Sequence, residues 1–292
     1  MTESEKREVE RFRAIFRAVH AGHPACLEDE WLSEPCRDAD GAVLDRPVVW
    51  SRRNGAWRRV EVLWVGAAPG NAGGKGRGDL GAHGTRIPFG GDVSGANVDV
   101  LFGSIGLSRN DTFIVAALNQ LPAAGGGEPK LAEIAAPVGE YETSLHVLRD
   151  TLVASGPKLV VAFGNVALRA TIASARLAPG AIRLPSLDRL RAAGIERGAA
   201  VAWPAETEPD DGFRAAWREN MSPYAGVETG FHRRMLETRD ALRSAARQVL
   251  GRVLPETRPP NPTDGIYALP EWKDRIAPRH AELDRLWREK GV

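Results

Sequence analysis

Cysteine is almost missing from this chain. The 292 residues contain two, Cys26 and Cys36. Two thiols cannot build a disulfide framework, a four-cysteine zinc site or a four-cysteine iron–sulfur cluster. No run approaches the roughly 18 apolar residues that a membrane-crossing helix needs. The opening MTESEKREVERFR is charged and has no apolar core of signal-peptide length. These absences create the expectation of a soluble protein of the reducing cytoplasm. Charge of one sign is also missing: 39 Lys and Arg stand against 38 Asp and Glu, a net charge of +1. A globally basic nucleic-acid coat is excluded, but a local basic groove is not, because net charge says nothing about distribution. Lysine is scarce, with only six among the basic residues. The rest are Arg, which pairs bidentately with phosphate oxygens, although a GC-rich genome produces the same bias. What remains is ordinary for a globular chain: 43% hydrophobic and 26% charged residues argue against global disorder. The length suits one large domain or two small ones.

Periodicity organises the chain. Residues 4–20 read as a helix with Val9, Phe12, Phe16 and Val19 on one face. Residues 25–59 read as irregular. Apolar β-rich runs follow at Val60–Gly66, Thr112–Ala117, Lys158–Phe163 and Ala199–Trp203. Between and after them lie helical patterns at 96–107, 139–155 (on Tyr141, Leu145, Leu148 and Leu152), 164–174 and 229–250, and a short charged one at about 270–290. Apolar strands alternating with amphipathic helices indicate an α/β fold with a parallel sheet covered on both faces. Ligands then sit beyond the carboxyl ends of the strands, on the loops after Gly66, Ala117, Phe163 and Trp203.

Those loops hold the unusual residues. GAAPGNAGGKGRG, residues 66–78, is glycine-dense, but Pro69 stands where a phosphate-cradling P-loop needs its first glycine and Gly76 where it needs Ser or Thr. A dinucleotide fingerprint fails as well, for want of an acidic residue at the right distance. TRIPFGGDVSGANVDVLF, residues 85–102, places Phe89 in a glycine-bounded turn, where an aromatic ring stacks on a planar base. Asp92 there serves as a helix cap or as a catalytic carboxylate. Asn119, directly after a strand, offers one acceptor and two donors and so reads an amide-like ring edge; the plainer role is a turn residue. Asn220 or Ser222, before the long helix, fits a cap.

Together these segments resemble the uracil-DNA glycosylase superfamily over about residues 60–250. GAAPGNAG is similar to its first active-site motif. RIPFGGDVSG, GLSRNDTFIVAALNQLP and VVAFGNVAL resemble the same segments in its bacterial and archaeal branches. The resemblance implies a three-layer α/β/α sandwich with a central four-stranded parallel sheet. It implies that Phe89 stacks on a flipped base beside Gly66 and Ala67, that Asn119 bonds its pairing edge, and that no metal or organic cofactor is required. Some branches place a water-positioning polar residue where Ala67 stands; the branch without it uses an Asp in the segment matching GGDVSG, which points to Asp92. Asn220-Met221-Ser222 is the nearest match to the final His-Pro-Ser motif, with Trp203-Pro204-Ala205 as the alternative alignment. The four cysteines of the iron–sulfur branches have no counterpart.

The resulting expectation is a monofunctional glycosylase acting on uracil-containing DNA in base excision repair, a monomer located in the cytoplasm at the nucleoid. Asp92 and Asn220 are its expected catalytic residues. Gly70, Lys75, Arg77 and Ser222 are expected phosphate contacts and Tyr224 a wedge into the duplex. Arginines of 183–197 and 232–248 supply DNA contacts or solvated helix faces. The expected domains are residues 1–255, with 1–59 as an N-terminal extension, and a C-terminal extension over 256–292. Two other readings stay open: a glycosylase-like module that grips uracil or abasic DNA without turnover, and a nucleotide-binding α/β enzyme using the 66–78 loop.

Overall fold

The computed structural model describes residues 2–19, 36–37, 43–44, 52–53, 56–57, 61–68, 87, 89–90, 93–119, 122, 129–178, 239–240, 242–244, 246–247, 250–251, 263, 265–270 and 272–289. Helix α1 spans Glu3–Val19 and buries Val9, Phe12, Ile15 and Val19 along one side. The stretch expected to be irregular instead contains two short antiparallel ladders. In one, β1 (Cys36–Arg37) pairs with β2 (Val43–Leu44); in the other, β3 (Arg52–Arg53) pairs with β4 (Ala56–Trp57). The pairing of Arg53 with Ala56 leaves Asn54-Gly55 between them in the sequence, the dipeptide that two-residue hairpins favour.

The sheet contains three described strands, all parallel, in the order β6–β5–β7. Their ranges are β5, Val62–Gly66; β6, Thr112–Ala116; and β7, Leu159–Ala162. The fourth strand expected at 199–203 lies outside the described residues. Side chains alternate across a strand, and the register keeps like faces together, with Leu63 beside Phe113 and Val160, and Trp64 beside Ile114 and Val161. Leu63, Val65, Phe113, Val115 and Val160 share one apolar cluster with α1, α4 (Ser144–Ser155) and α5 (Gly164–Arg176). Val62, Trp64, Ile114 and Val161 share the other with α2 (Val93–Ser104) and with Leu242 and Ala246. A two-faced sheet explains why the strands read as unbroken apolar runs. Helix α3 is a single turn, Leu131–Ile134. The last described helix, α6 (Ala277–Glu289), follows a tight 3-10 turn (Gly265–Ala268) and a wider π-helical turn (Trp272–Ile276) and packs on α2. None of the described helices is long and apolar enough to cross a membrane.

Two helix boundaries differ from the sequence reading for local reasons. Helix α2 ends at Ser104 because Gly106 takes φ +70° and the chain closes a Schellman cap: Leu107 N–H donates to the carbonyl of Phe102 and Gly106 N–H to that of Gly103. Helix α4 begins at Ser144 rather than 139 because the preceding residues make a different contact. Gly139, at φ +56°, turns the chain so that Glu140 N–H donates to Ala18 O at 2.7 Å, docking the end of α1. The buried face of α4 is wider than the expected one: Leu148 and Leu152 are buried with Val147, Thr151 and Ser155, and Tyr141 and Leu145, half-buried, pack against the same core. The Thr151 and Ser155 hydroxyls enter the core by donating to the carbonyls of Val147 and Thr151, four residues back.

A β-carbon at Gly139 would stand 2.1 Å from Ala18 O. Gly139→Ala is therefore expected to lower stability by about 1–3 kcal/mol, read as a reduced urea midpoint. An unchanged midpoint would show that α1 docks without this turn.

Candidate functional site

All three parallel strands end on the same side, and their hydrogen bonding continues past the strand ends. Ala117 N–H donates to Gly66 O at 2.9 Å, Leu118 N–H to Ala67 O at 3.0 Å and Phe163 N–H to Val65 O at 2.8 Å. The connection through α2 lies on one face of the sheet and the connection through α4 on the other. Ligands of open α/β sheets bind at such a switch, outside the carboxyl ends of the strands.

Four of the residues singled out in the sequence are described, and all four belong to this edge. Gly66 ends β5 and Ala67 follows it, half-buried. A β-carbon on Gly66 would meet the Phe89 ring at 2.9 Å, so the ring lies directly against the glycine. Gly66 is thus required by close approach of an aromatic, not by a turn. Phe89 itself sits at φ +52°, the one non-glycine residue with positive φ among those described. An aromatic residue in the left-handed region is strained by about 1–2 kcal/mol. Its ring also meets Phe163 edge-on at 5.5 Å, and Phe163 stacks on Trp64 at 5.6 Å. Asn119, three residues past β6, is 1% exposed, and neither its amide nitrogen nor its oxygen has a hydrogen-bond partner among the described residues. An unsatisfied buried polar group costs about 1–3 kcal/mol.

Asp92, Asn220, Gly70, Lys75, Arg77, Ser222 and Tyr224 lie outside the described residues, as does the arginine-rich stretch 183–197. In the long C-terminal arginine segment, Arg239 pairs with Asp240 at 3.3 Å and Arg243 donates to Ser104 O at 3.2 Å. These two contacts belong to the solvated-face and packing reading of that segment.

The sequence reading missed a charged cluster buried next to this edge. Arg109 and Asp99 form an ion pair, Nε to Oδ1 at 2.7 Å, with side chains 0% and 3% exposed. The other carboxylate oxygen of Asp99 bonds His280 Nδ1 at 2.6 Å. Arg109 Nη2 donates to the carbonyl of Phe89 at 2.8 Å. The guanidinium lies 5.0 Å from the Trp272 ring centre and 5.9 Å from that of Phe102, at cation–π distance. Burial pushes the Asp99 carboxyl up, but the Arg109 charge and then the His280 hydrogen bond outweigh it and hold the carboxyl below its ordinary 3.8. One signal of the cluster stood in the sequence. Asp99 interrupts the apolar run Val98–Phe102, and a carboxylate on a buried helix face demands a cation.

A family model described as the Uracil DNA glycosylase superfamily matches residues 55–213, more than half of the chain. No curated protein matches it. The matched span contains the three parallel strands, Phe89, Asn119, Asp99 and Arg109, and stops short of Trp272 and His280.

Because the carboxyl of Asp99 titrates lower in the folded chain, its contribution is complete above about pH 4 and is lost as the pH falls from there through the lower folded value. Asp99→Asn leaves the Arg109 charge buried without its partner, so it is expected to lose about 3–5 kcal/mol at neutral pH. It should also lose this acid-labile component. Urea denaturation of both proteins across this range tests it; parallel pH profiles would refute the assignment.

Proposed function

The chain belongs to the uracil-DNA glycosylase superfamily, and we propose that it is a monofunctional uracil-DNA glycosylase that hydrolyses the N-glycosidic bond of flipped-out uracil. The observation that carries this reading is Asn119: a buried amide whose donor and acceptor have no partner among the described residues, at the strand ends where Phe89 also lies. Uracil presents a complementary acceptor and donor on its pairing edge and a flat face for the ring. A base held in this way must first leave the stack, at a cost of a few kcal/mol. Four parallel strands in a three-layer α/β/α arrangement belong to the same proposal, with 199–203 as the fourth strand.

In this reaction the C1′–N1 bond breaks and its electron pair goes to the uracil, while positive charge builds on the sugar. Asp92 stabilises that charge and orients the water whose oxygen bonds to C1′. The proton released by the water passes through the carboxylate, and the uracil anion is protonated on leaving. The Asn220 amide donates to the developing anion, in a place from which water is excluded. Uracil leaves readily enough as its anion that no second carboxylate is needed. Ala67 offers no polar group for the water, which leaves that task to Asp92. Gly70, Lys75, Arg77 and Ser222 hold phosphates and Tyr224 enters the duplex.

The test is a labelled duplex with one U opposite G, incubated with the full chain and then treated with alkali. Strand cleavage at the U only after alkali is the expected result. Asp92→Asn is expected to abolish it while the protein stays folded. No cleavage on single strands, U:A, U:G or hypoxanthine duplexes, with a gel shift retained on the same oligonucleotides, would replace the enzyme with a binding module.

Asn119→Leu, similar in volume and without the orphaned polar atoms, is expected to cut excision by about two to three orders of magnitude. Its melting temperature should be unchanged or raised. Wild-type excision in this variant would remove Asn119 from the site.

A further inference from the structure

The C-terminal segment falls outside the matched family span, yet it is bonded to the matched span at three points. Tyr267 Oη accepts from Arg109 N–H at 2.8 Å, Asn110 Oδ1 accepts from Ile266 N–H at 3.0 Å, and His280 bonds Asp99. The turn that makes the second contact needs Gly265, at φ +61°, where a β-carbon would stand 2.2 Å from Asn110 Oδ1. The contact through His280 is not the end of a line. The bonds run from His280 to Asp99, from Asp99 to Arg109 and from Arg109 to the carbonyl of Phe89. They end on the strained residue at φ +52°.

We propose that the C-terminal segment braces the base-stacking ring: His280 orients Asp99, Asp99 orients Arg109, and Arg109 holds the Phe89 carbonyl so that the ring stays against Gly66. The inference rests on the reading of Phe89 as the stacking residue. Three observations support it beyond the line of bonds. First, a left-handed Phe persists only where its surroundings over-determine it. Here the determinants are the Arg109 donor on one side and Gly95 on the other, since a β-carbon at Gly95 would lie 1.9 Å from Phe89 O. Second, the same β-carbon would lie 3.1 Å from His280 Nε2, so Gly95 is the point at which the tail and the stacking loop converge. Third, a buried ion pair adds little net stability compared with apolar residues of equal volume. The cluster is therefore better accounted for by the geometry it imposes than by stability. Trp272 completes the brace: its ring faces the Arg109 guanidinium and meets the His280 ring edge-on at 5.5 Å. His280, Asp99 and Arg109 are positioning residues. None of them is assigned contact with the base.

A double-mutant cycle in the full chain tests this, with single-turnover excision from a uracil-containing strand as the readout. His280→Ala is expected to slow excision about 10- to 100-fold through misplacement of the ring. In a Phe89→Ala background the same change should have almost no further effect, because the ring it positions is gone. His280→Asn, whose amide nitrogen stands close to the place of Nδ1, should restore most of the rate. Independent, multiplicative losses in the double variant, or a wild-type rate in His280→Ala, would overturn the brace. If His280→Ala does not fold, the cycle is run with Arg109→Lys and Phe89→Ala, and independent, multiplicative losses again overturn it. A chain that excises nothing would end the glycosylase reading, not this one. In that case hydrogen exchange decides: His280→Ala should speed exchange in peptides covering 85–102, and exchange raised only in the C-terminal segment would refute the coupling.

Discussion

A carboxylate that is 3% exposed on an apolar helix has to be neutralised where it stands. Asp99 imposes that constraint, and much of the molecule is arranged around it. The cation that answers it comes from Arg109, in the short turn Arg109–Asp111 that leads into β6. A carboxylate with two oxygens needs more than one donor, and the second comes from His280 on the last helix. One buried charge therefore ties three distant stretches of sequence together: α2, the entry to an edge strand, and the C-terminal helix. The guanidinium has donors left over, and one of them reaches the backbone of Phe89. Neutralising a charge and setting a loop are here the same set of bonds.

The central strand supplies the other half of the site. β5 is paired on both edges and buried on both faces, so Gly66 at its end has little freedom to move. A ring placed against Gly66 is then referenced to the stiffest part of the sheet. The Phe163 and Trp64 rings continue that contact into the core, so Phe89 is held from below by aromatics and from behind by its own carbonyl. On the proposed function, such a ring is held ready for a flat base. Little ordering is left to be done on binding, and that is where pre-organisation gains affinity.

Most of this fold is legible in the chain, for a physical reason. Strands buried on both faces have to be apolar throughout, and VLWVG, TFIVA and LVVA satisfy that with nothing else nearby that does. Boundaries were less legible, because they turn on single tertiary contacts. Helix α4 starts late since Gly139 is committed to the carbonyl of Ala18, a partner more than a hundred residues earlier. The place of Phe89 and Asn119 at the carboxyl ends of the strands follows from the strand positions and could be read. The Asp99–Arg109–His280 cluster could not be assembled by reading. Asp99 and Arg109 are ten residues apart, but His280 stands 181 residues from Asp99. Period and composition carry no information about pairs at such separation. The positive φ of Phe89 was hidden as well: two glycines, Gly90 and Gly91, follow it in the sequence, yet the Phe itself takes the glycine-like conformation.

Asn119 and Phe89 hold similar debts in different forms. One is a buried amide without a hydrogen-bond partner among the described residues, the other an aromatic in a left-handed conformation. Each costs stability: an apolar side chain at 119 would remove the unpaired groups, and a glycine at 89 would remove the backbone strain. The proposed function accounts for both, because a planar, hydrogen-bonding ligand suits each of them. The buried amide recovers its desolvation cost when a pairing edge meets it, and the ring recovers part of its strain as stacking. A base that lacks either the complementary donor or the complementary acceptor leaves one end of Asn119 unsatisfied, and rejection by unpaired groups is a stronger filter than loss of contact area. On the proposed reading, discrimination among bases falls to the amide, while the ring and its brace decide how well any accepted base is held.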